Sequence, residues 1–138
     1  MLSKIDKELA FLQTAMSLRA RRQEILASNL ANSDTPNYKA RDLDFSSALR
    51  SAMGGQGGGL SLARTSDRHL DGVGLAGSGL ADAGIKYRES VQPSLDGNTV
   101  DPDVERGHFA ENAMQYQFLL ERMRSSVERM KSALSEGK

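Results

Sequence analysis

The first pattern that could support chemistry is a run of spaced glycines, Gly72-Val73-Gly74-Leu75-Ala76-Gly77, which satisfies the dinucleotide-binding pattern G-x-G-x-x-G. That pattern works only between a buried strand and a helix whose N-terminus meets the pyrophosphate. The flanking residues, 68–71 and 78–80, predict neither element. We therefore interpret residues 72–77 as a loop and expect no nucleotide cofactor.

A second pattern, Asp101-x-Asp103-x-Glu105, is similar to the opening of a calcium-binding loop. Such a loop needs glycine at its sixth position and glutamate at its twelfth, but these positions hold Arg106 and Asn112. The start of a helix explains the acids without a metal, because carboxylates stabilise the positive end of the helix dipole. We expect no metal site.

The remaining candidates for catalysis are two histidines, His69 and His108, and the sequence offers neither of them a nucleophile or a second base. The chain has no cysteine, which excludes disulfides, thiolate zinc sites, iron–sulfur clusters and cysteine nucleophiles. We therefore expect solvated or packing histidines, no catalytic residues and no enzyme.

Charge also limits the partners, since 18 basic and 18 acidic residues leave the 138-residue chain with no net charge. That balance argues against an electrostatic grip on nucleic acid or anionic lipid. Arg19, Arg21 and Arg22 form a small basic cluster, which we expect to pair with acids on neighbouring chains. No apolar run approaches the length of a membrane span and no signal-peptide core follows Met1, so any export should avoid a cleaved signal.

The elements that would position these residues are two amphipathic helices at the ends of the chain. Apolar residues spaced by three and four predict a helix from near Lys4 to a point between Asn32 and Asp34, where Pro36 opposes helical geometry. Ser3 and Asp6 fit a capping box at its start. Its apolar stripe, which Arg19 and Gln23 interrupt, contains Leu2, Ile5, Leu9, Leu12, Met16, Leu26 and Leu30.

A longer and more regular pattern predicts a second helix over residues 102–135, with Asp101 as N-cap and Pro102 as the first helical residue. Its stripe contains Phe109, Ala113, Tyr116, Leu120, Met123, Val127, Met130 and Leu134. We expect a mainly α fold in which the two helices pack as a coiled-coil-like pair. Both stripes are longer than one partner helix requires, although an ordinary helical hairpin within one chain remains an alternative.

The middle of the chain divides the sequence into residues 1–34, 35–100 and 101–138. Ten of the 13 glycines fall between Gly54 and Gly84, and residues 53–59 predict a flexible loop. Alternating apolar residues predict short extended segments at Ile85, Tyr87 and Val91, and more weakly at Leu60 and Leu62. With few aromatic residues, we expect the chain to lack a core of its own and to gain one by lateral packing.

The segment after the first helix, Asn29-Leu30-Ala31-Asn32-Ser33-Asp34-Thr35-Pro36-Asn37-Tyr38, predicts a helix stop. Pro36 and Asn37 suit the corners of a type II turn, since asparagine tolerates positive φ at the second corner. We expect Tyr38, Leu43 and Phe45 to fold back onto the helix. Asp96-Gly97-Asn98 predicts another turn, before the second helix.

This segment closely resembles the signature of the bacterial flagellar rod and hook axial proteins, roughly N-[LI]-A-N-x-x-T-P-G-Y. Asn37 replaces the usual glycine. Residues 39–45 and the run Gln92-Pro93-Ser94-Leu95-Asp96-Gly97-Asn98-Thr99-Val100-Asp101 are similar to the proximal rod subunit of that family. The matching motif residues are Asn29, Ala31, Asn32, Thr35, Pro36, Asn37, Tyr38, Asp96, Gly97, Asn98 and Thr99.

The resemblance implies a structural subunit that is exported through the flagellar type III apparatus and assembles helically around a channel. Its partners would be itself, other rod proteins, the FliE adaptor and the export gate, in the periplasmic part of the basal body. The two apolar stripes would then form the assembly interface. The alternative from another class is a cytoplasmic helical-hairpin adaptor or export chaperone that binds a partner helix.

Overall fold

The computed structural model describes residues 2–54, 84–90 and 94–135, and this part of the chain is mainly helical. The elements are α1 (Leu2–Ala31), β1 (Arg41–Leu43), α2 (Phe45–Met53), β2 (Ile85–Tyr87) and α3 (Pro102–Ser135). Among these residues, the helices are too polar or too short to cross a membrane. The predicted class, two long helices with short extended segments between them, is confirmed.

The two long helices pack against each other in opposite directions. Arg129 near the end of α3 lies 3.6 Å from Glu8 near the start of α1, whereas Glu105 at the start of α3 contacts Asn29 near the end of α1. The pair is formed within one chain. The predicted coiled-coil-like packing and the helical hairpin that we held as its alternative are therefore the same arrangement.

The observed starts of the two long helices can be compared with the predicted ones. Asp101 accepts hydrogen bonds from the backbone N–H groups of Asp103 and Val104, at 3.0 and 3.3 Å, so the predicted N-cap and the predicted span of α3 are confirmed. Helix α1 begins at Leu2. The predicted start near Lys4 is two residues later, which is within the usual spread of helix boundaries. The side chain of Ser3, and with it the predicted capping box, lies outside the described residues.

A small core lies where α1 packs against β1 and α2. Leu18 and Ile25 of α1 are buried against Leu43 of β1 and Ala48 of α2, and Phe45, Leu49 and Ile85 pack around them. The expectation that the chain lacks a core of its own was therefore wrong. Leu43 and Phe45 do fold back onto the first helix, as predicted.

The core is held together by a two-stranded antiparallel sheet that joins the middle of the chain to its second half. Arg41 pairs with Tyr87 and Leu43 with Ile85, which confirms the predicted extended segment at residues 85–87. Strand β1 and helix α2 were not predicted. The predicted loop at 53–59 begins later than expected, because Met53 is the last residue of α2 and Gly54 is its C-cap. The rest of that loop lies outside the described residues, as do the predictions for Leu60, Leu62, His69, residues 72–77 and Val91.

Candidate functional site

The first motif segment ends α1 with the turn that the sequence predicts. The backbone N–H of Tyr38 donates to the carbonyl of Thr35 at 3.3 Å, and Asn37 between them has a φ of 60°. Positive φ at the third residue is what a type II turn requires. The asparagine in place of the usual glycine therefore keeps the geometry of the turn.

Asn98, from the second motif segment, binds the turn that follows α1. Its side-chain Nδ2 donates to the carbonyls of Asn32, Ser33 and Thr35 at 3.1, 2.7 and 3.1 Å. Its Oδ1 accepts from the backbone N–H of Val100 at 2.8 Å. Because α1 ends at Ala31, these three carbonyls belong to the turn that follows the helix, and this single buried amide fixes that turn.

The two motif segments also pair along their backbones, and we call their paired residues, 29–40 and 94–101, the motif joint. The N–H of Asn37 donates to the carbonyl of Asp96 at 2.9 Å, and the N–H of Thr99 donates to the carbonyl of Tyr38 at 3.1 Å. Thr99 also accepts a hydrogen bond at its hydroxyl from the N–H of Ala40, at 2.7 Å. The motifs, separated by about sixty positions in the sequence, are thus one structural unit.

Gly97 is required where the joint is tightest. Its φ is +73°, and a Cβ at this position would lie 2.6 Å from Oδ1 of Asn37. A side chain at this position would therefore be strained and would also collide with the turn. The predicted turn at Asp96-Gly97-Asn98 is confirmed, with Gly97 N–H donating to the carbonyl of Ser94 at 3.2 Å.

Asn29, the first residue of the motif, binds a strand rather than the helix end. It is fully buried, donates from Nδ2 to the carbonyl of Arg41 at 2.6 Å and accepts at Oδ1 from the N–H of Arg41 at 3.1 Å. Nδ2 also donates to Glu105 at 3.2 Å. A buried amide with all its groups paired fixes one arrangement of its neighbours, here α1, β1 and α3.

A series of ion pairs connects α1, β1 and α3, the same elements that Asn29 joins. Arg22 of α1 pairs with Asp42 of β1 at 2.8 Å, Asp42 also pairs with Arg88 at 2.8 Å, and Arg88 pairs with the carboxylate of Glu105 in α3. Glu105 is only 1% exposed. We call these four residues the ion-pair network. Since a buried charge without a partner is costly, each member needs the others in place.

The network shifts the pKa values of two of its members. Burial alone would raise the pKa of Asp42, but the hydrogen bond and charge of Arg22, with help from Leu43 N–H and Arg88, lower it below its ordinary value. The hydrogen bond to Asp42 raises the pKa of Arg22 in turn. Both groups therefore carry full charge at neutral pH.

The network corrects the interpretation of the basic cluster on α1. Arg22 pairs with Asp42, Arg21 pairs with Glu24 at 2.7 Å, and Arg19 lies 3.7 Å from the centre of the Phe45 ring. The acids that we expected on neighbouring chains are on this chain. Sequence spacing gave no signal for the pair of Arg22 and Asp42, which lie 20 positions apart, whereas Arg21 and Glu24 stand at the i,i+3 spacing of a helix.

Arg19 and Gln23, which interrupt the apolar stripe of α1, also have a partner on α3. Asn112 of α3 is fully buried and donates from Nδ2 to the carbonyl of Arg19 at 2.9 Å and to Oε1 of Gln23, while Arg19 donates to Oδ1 of Asn112 at 3.4 Å. One buried polar contact inside an apolar helix pair can fix its register. Asn112 therefore aligns α1 with α3.

The predicted interface residues divide into three groups by exposure. Leu12 and Leu26 are buried inside the chain. Those that are half-buried between the helices are Ile5, Leu9, Met16, Leu30, Tyr116, Met123 and Met130. Those that are exposed are Phe109, Leu120, Val127 and Leu134, at 37%, 51%, 48% and 78%. Helix α3 thus faces α1 partly through Asn112 and Ser126 and turns much of its apolar stripe outward.

The other candidates for chemistry have structural surroundings. Asp103 pairs with Arg106 at 3.0 Å, and Nδ1 of His108 lies 3.8 Å from Glu111 on the surface of α3. No group of three metal-ligating side chains occurs within the described residues. The joint, whose polar groups bond to one another, is therefore a brace that fixes how the helices are presented.

Comparison with known proteins relates these features to a family. A family model described as flagella basal body rod protein matches residues 9–39, the region that ends in the first motif segment. The flagellar basal body rod protein FlgB of Yersinia enterocolitica is 46% identical over 140 residues, covering 99% of this chain and 100% of the relative. FlgB of Escherichia coli K12 is 45% identical over 142 residues, covering 99% of each chain.

Proposed function

Because this chain belongs to the FlgB family of flagellar basal body rod proteins and is a structural subunit of the rod, we propose that it builds the proximal rod. In this proposal, copies assemble helically around the export channel and transmit torque along the rod. The observation that carries it is the identity to FlgB proteins over nearly the full length, together with the joint that both motif segments form.

The outward part of the α3 stripe is the surface that we propose for lateral assembly. Phe109, Leu120, Val127 and Leu134 lie on one side of α3 and are exposed in the single chain. An apolar strip of this length is unusual on a monomer and is typical of an interaction site. Leu12 and Leu26 support assembly indirectly, since they are buried inside the chain and hold α1 in place.

Transmission of torque requires a subunit that turns as one body. The ion-pair network and the motif joint link α1, β1 and the start of α3 through polar groups that are paired with one another and are buried or half-buried. Such groups favour one packing arrangement over its alternatives, because any other arrangement would leave the buried carboxylate of Glu105 unpaired. This bracing supports the mechanical part of the proposal.

The partners and location follow from membership of the family. Family members belong to the basal body rod, and we propose that this chain contacts the FliE adaptor and the type III export gate at the rod base. We also propose that it reaches the periplasmic space without a cleaved signal and has no catalytic activity. The comparisons favour this role over the cytoplasmic adaptor or chaperone.

Deletion of the gene tests the proposed position in the rod. A strain that lacks the chain should keep FliE with purified basal bodies, but should lose the other rod proteins, because they build on the proximal subunit. Re-expression of a tagged copy should restore motility and place the tag in the rod fraction. Retention of the other rod proteins in the deletion strain would contradict the proximal position.

A further inference from the structure

A groove of about 500 Å³ runs between α1 and α3 on the side away from the core. Its small side chains are Ala20 and Ala27 of α1 and Ala113 of α3, with Phe109 and Tyr116 along one wall. Three alanines leave space where two packed helices would normally carry larger residues. The groove lies beside the exposed strip that continues through Leu120 and Val127.

The described residues carry one exposed pair of large apolar side chains at helical spacing outside that strip. Met114 and Phe118 on α3 are 64% and 69% exposed, and they are four residues apart. The other exposed large apolar residues away from the strip, Phe11, Met53, Tyr87 and Leu95, stand singly in the described sequence. Residues four apart stack on one face of a helix, so Met114 and Phe118 form a compact ridge.

We propose that the groove binds the Met114–Phe118 ridge of a second copy of this chain, which names the lateral contact of the rod function proposed above and rests on it. The match is one of shape, because large flexible and aromatic side chains fit a groove of alanines. The charges match as well, because each surface has one acidic and one basic neighbour. Glu121 and Arg122 are helical neighbours of Phe118, while Glu24 lines the groove and Arg124 lies beside the strip.

The position of the ridge makes this contact heterologous. At about 100° per residue, the ridge lies roughly 160° around α3 from the strip of Phe109, Leu120 and Val127. Each copy therefore offers its ridge on one side and its groove on the other. A head-to-tail contact of this kind repeats from copy to copy and builds a ring or an open helix instead of a closed dimer.

Single cysteines test the contact directly, because the natural sequence contains none. Ala20→Cys labels the groove and Met114→Cys labels the ridge while keeping Phe118. Co-expressed in one strain and oxidised in isolated basal bodies, the two variants should form a mixed disulfide. Neither variant alone should form one with itself. Incorporation without the mixed disulfide, or a disulfide in either single strain, would overturn the proposal.

A competition assay covers the case in which a cysteine variant fails to assemble. Phe118→Ala should enter rods about tenfold less than the co-expressed wild-type chain, as for a central apolar anchor. Tyr87→Ala, which removes a similarly exposed aromatic ring from β2, should compete equally. Equal incorporation of Phe118→Ala would overturn the ridge contact. Absence of the wild-type chain from rods would instead overturn the rod function itself.

Discussion

At the scale of single residues, three buried amides join the elements of this molecule. Asn98 donates to three carbonyls in the turn after α1, Asn29 bonds both backbone groups of Arg41, and Asn112 aligns the two long helices. All three are buried and paired. Asn29 and Asn98, which belong to the two motif segments, thus supply hydrogen-bond partners to the backbone, and Asn37 adopts the positive φ that the turn needs.

Replacement of Asn98 tests this interpretation. Asn98→Ala removes the donor of the Ser33 and Thr35 carbonyls, while the Asn32 carbonyl keeps the N–H of Thr35. It should lower the free energy of unfolding by about 1–3 kcal/mol, the usual cost of buried polar groups left unpaired. Asn98→Asp should be no better, since it keeps the acceptor for Val100 but loses the donor. Urea denaturation measures both, with the exposed Asp34→Ala as control. Equal stability of Asn98→Ala and the control would contradict the role of the amide.

At the scale of elements, the sequence predicts the long helices well and the short elements poorly. Helix α3 has the predicted span because its apolar period and its N-cap agree. Helix α2 was missed, although Asp44 caps it and Phe45, Ala48 and Leu49 repeat at helical spacing. A nine-residue helix gains its stability from docking on α1 and not from its own pattern. Periodicity alone cannot reveal such a helix.

The ion-pair network was missed for a related reason. Arg22, Asp42, Arg88 and Glu105 come from four segments of the chain, and each residue has an ordinary explanation where it stands. Glu105 suits the first turn of a helix whether or not an arginine reaches it. Only the packing of the two-stranded sheet of β1 and β2 against the long helices brings the four together. Local spacing in the sequence therefore cannot predict which charges pair over long distances along the chain.

The N-cap of α2 makes the docking of that helix sensitive to acid. Lys86 at 2.7 Å, followed by the N–H of Ser47 and the hydroxyl of Ser46, lowers the pKa of Asp44 from 3.8 to about 2. A lowered pKa stabilises the folded state above the ordinary value, and this stabilisation is lost as pH falls through the folded-state value. Between pH 4 and 2 the chain should therefore lose stability through Asp44.

Urea midpoints at pH 5, 4, 3 and 2 check this prediction. Asp44→Asn keeps an acceptor for the N–H of Ser47 but cannot ionise, so its stability should fall less steeply between pH 4 and 2. Lys86→Met removes the ion pair from the other side and should reduce the slope as well. Slopes that match the wild-type chain in both variants would contradict a role for this carboxylate.

The long helices should differ in stability along their length. Among the residues described in the burial pattern, 4–11 of α1 and 127–135 of α3 include none that is buried, and these ends lie side by side. The joint and the network hold the opposite end. In a dilute monomer, amide exchange should be slow for residues 12–29 and 105–126 and fast at the free ends. Uniform protection along α3 would show that the pair is stable without neighbours.

At the scale of the whole molecule, the chain is built with one closed side and one open side. The sheet of β1 and β2, together with α2, covers the core side of α1. Helix α3 leaves four apolar side chains exposed: Phe109, Leu120, Val127 and Leu134. A braced joint at one end and free helix ends at the other suit a subunit that is fully ordered only among its neighbours. The small core keeps the chain folded, and burial of the open strip favours its assembly with other subunits.

Leu120→Asp tests the open strip as an assembly surface. Leu120 is 51% exposed in the single chain, so a carboxylate there should cost the monomer little. In an assembled rod the same carboxylate would be desolvated at an apolar contact, at a cost of several kcal/mol, about 2–7 for an unpaired polar group. The variant should be synthesised and exported normally but should fail to enter the rod, which leaves the cell non-motile.

The matched control is Glu128→Lys, eight residues further along α3, exposed and outside both the strip and the ridge. It reverses a charge without placing one in the strip, so its incorporation should fall only slightly, in the range of an exposed ion pair. The measurement is the ratio of rod-incorporated to secreted subunit for each variant, which separates assembly from export. Incorporation of Leu120→Asp at the wild-type ratio would mean that the strip faces solvent in the rod, and that neighbouring subunits meet through another surface.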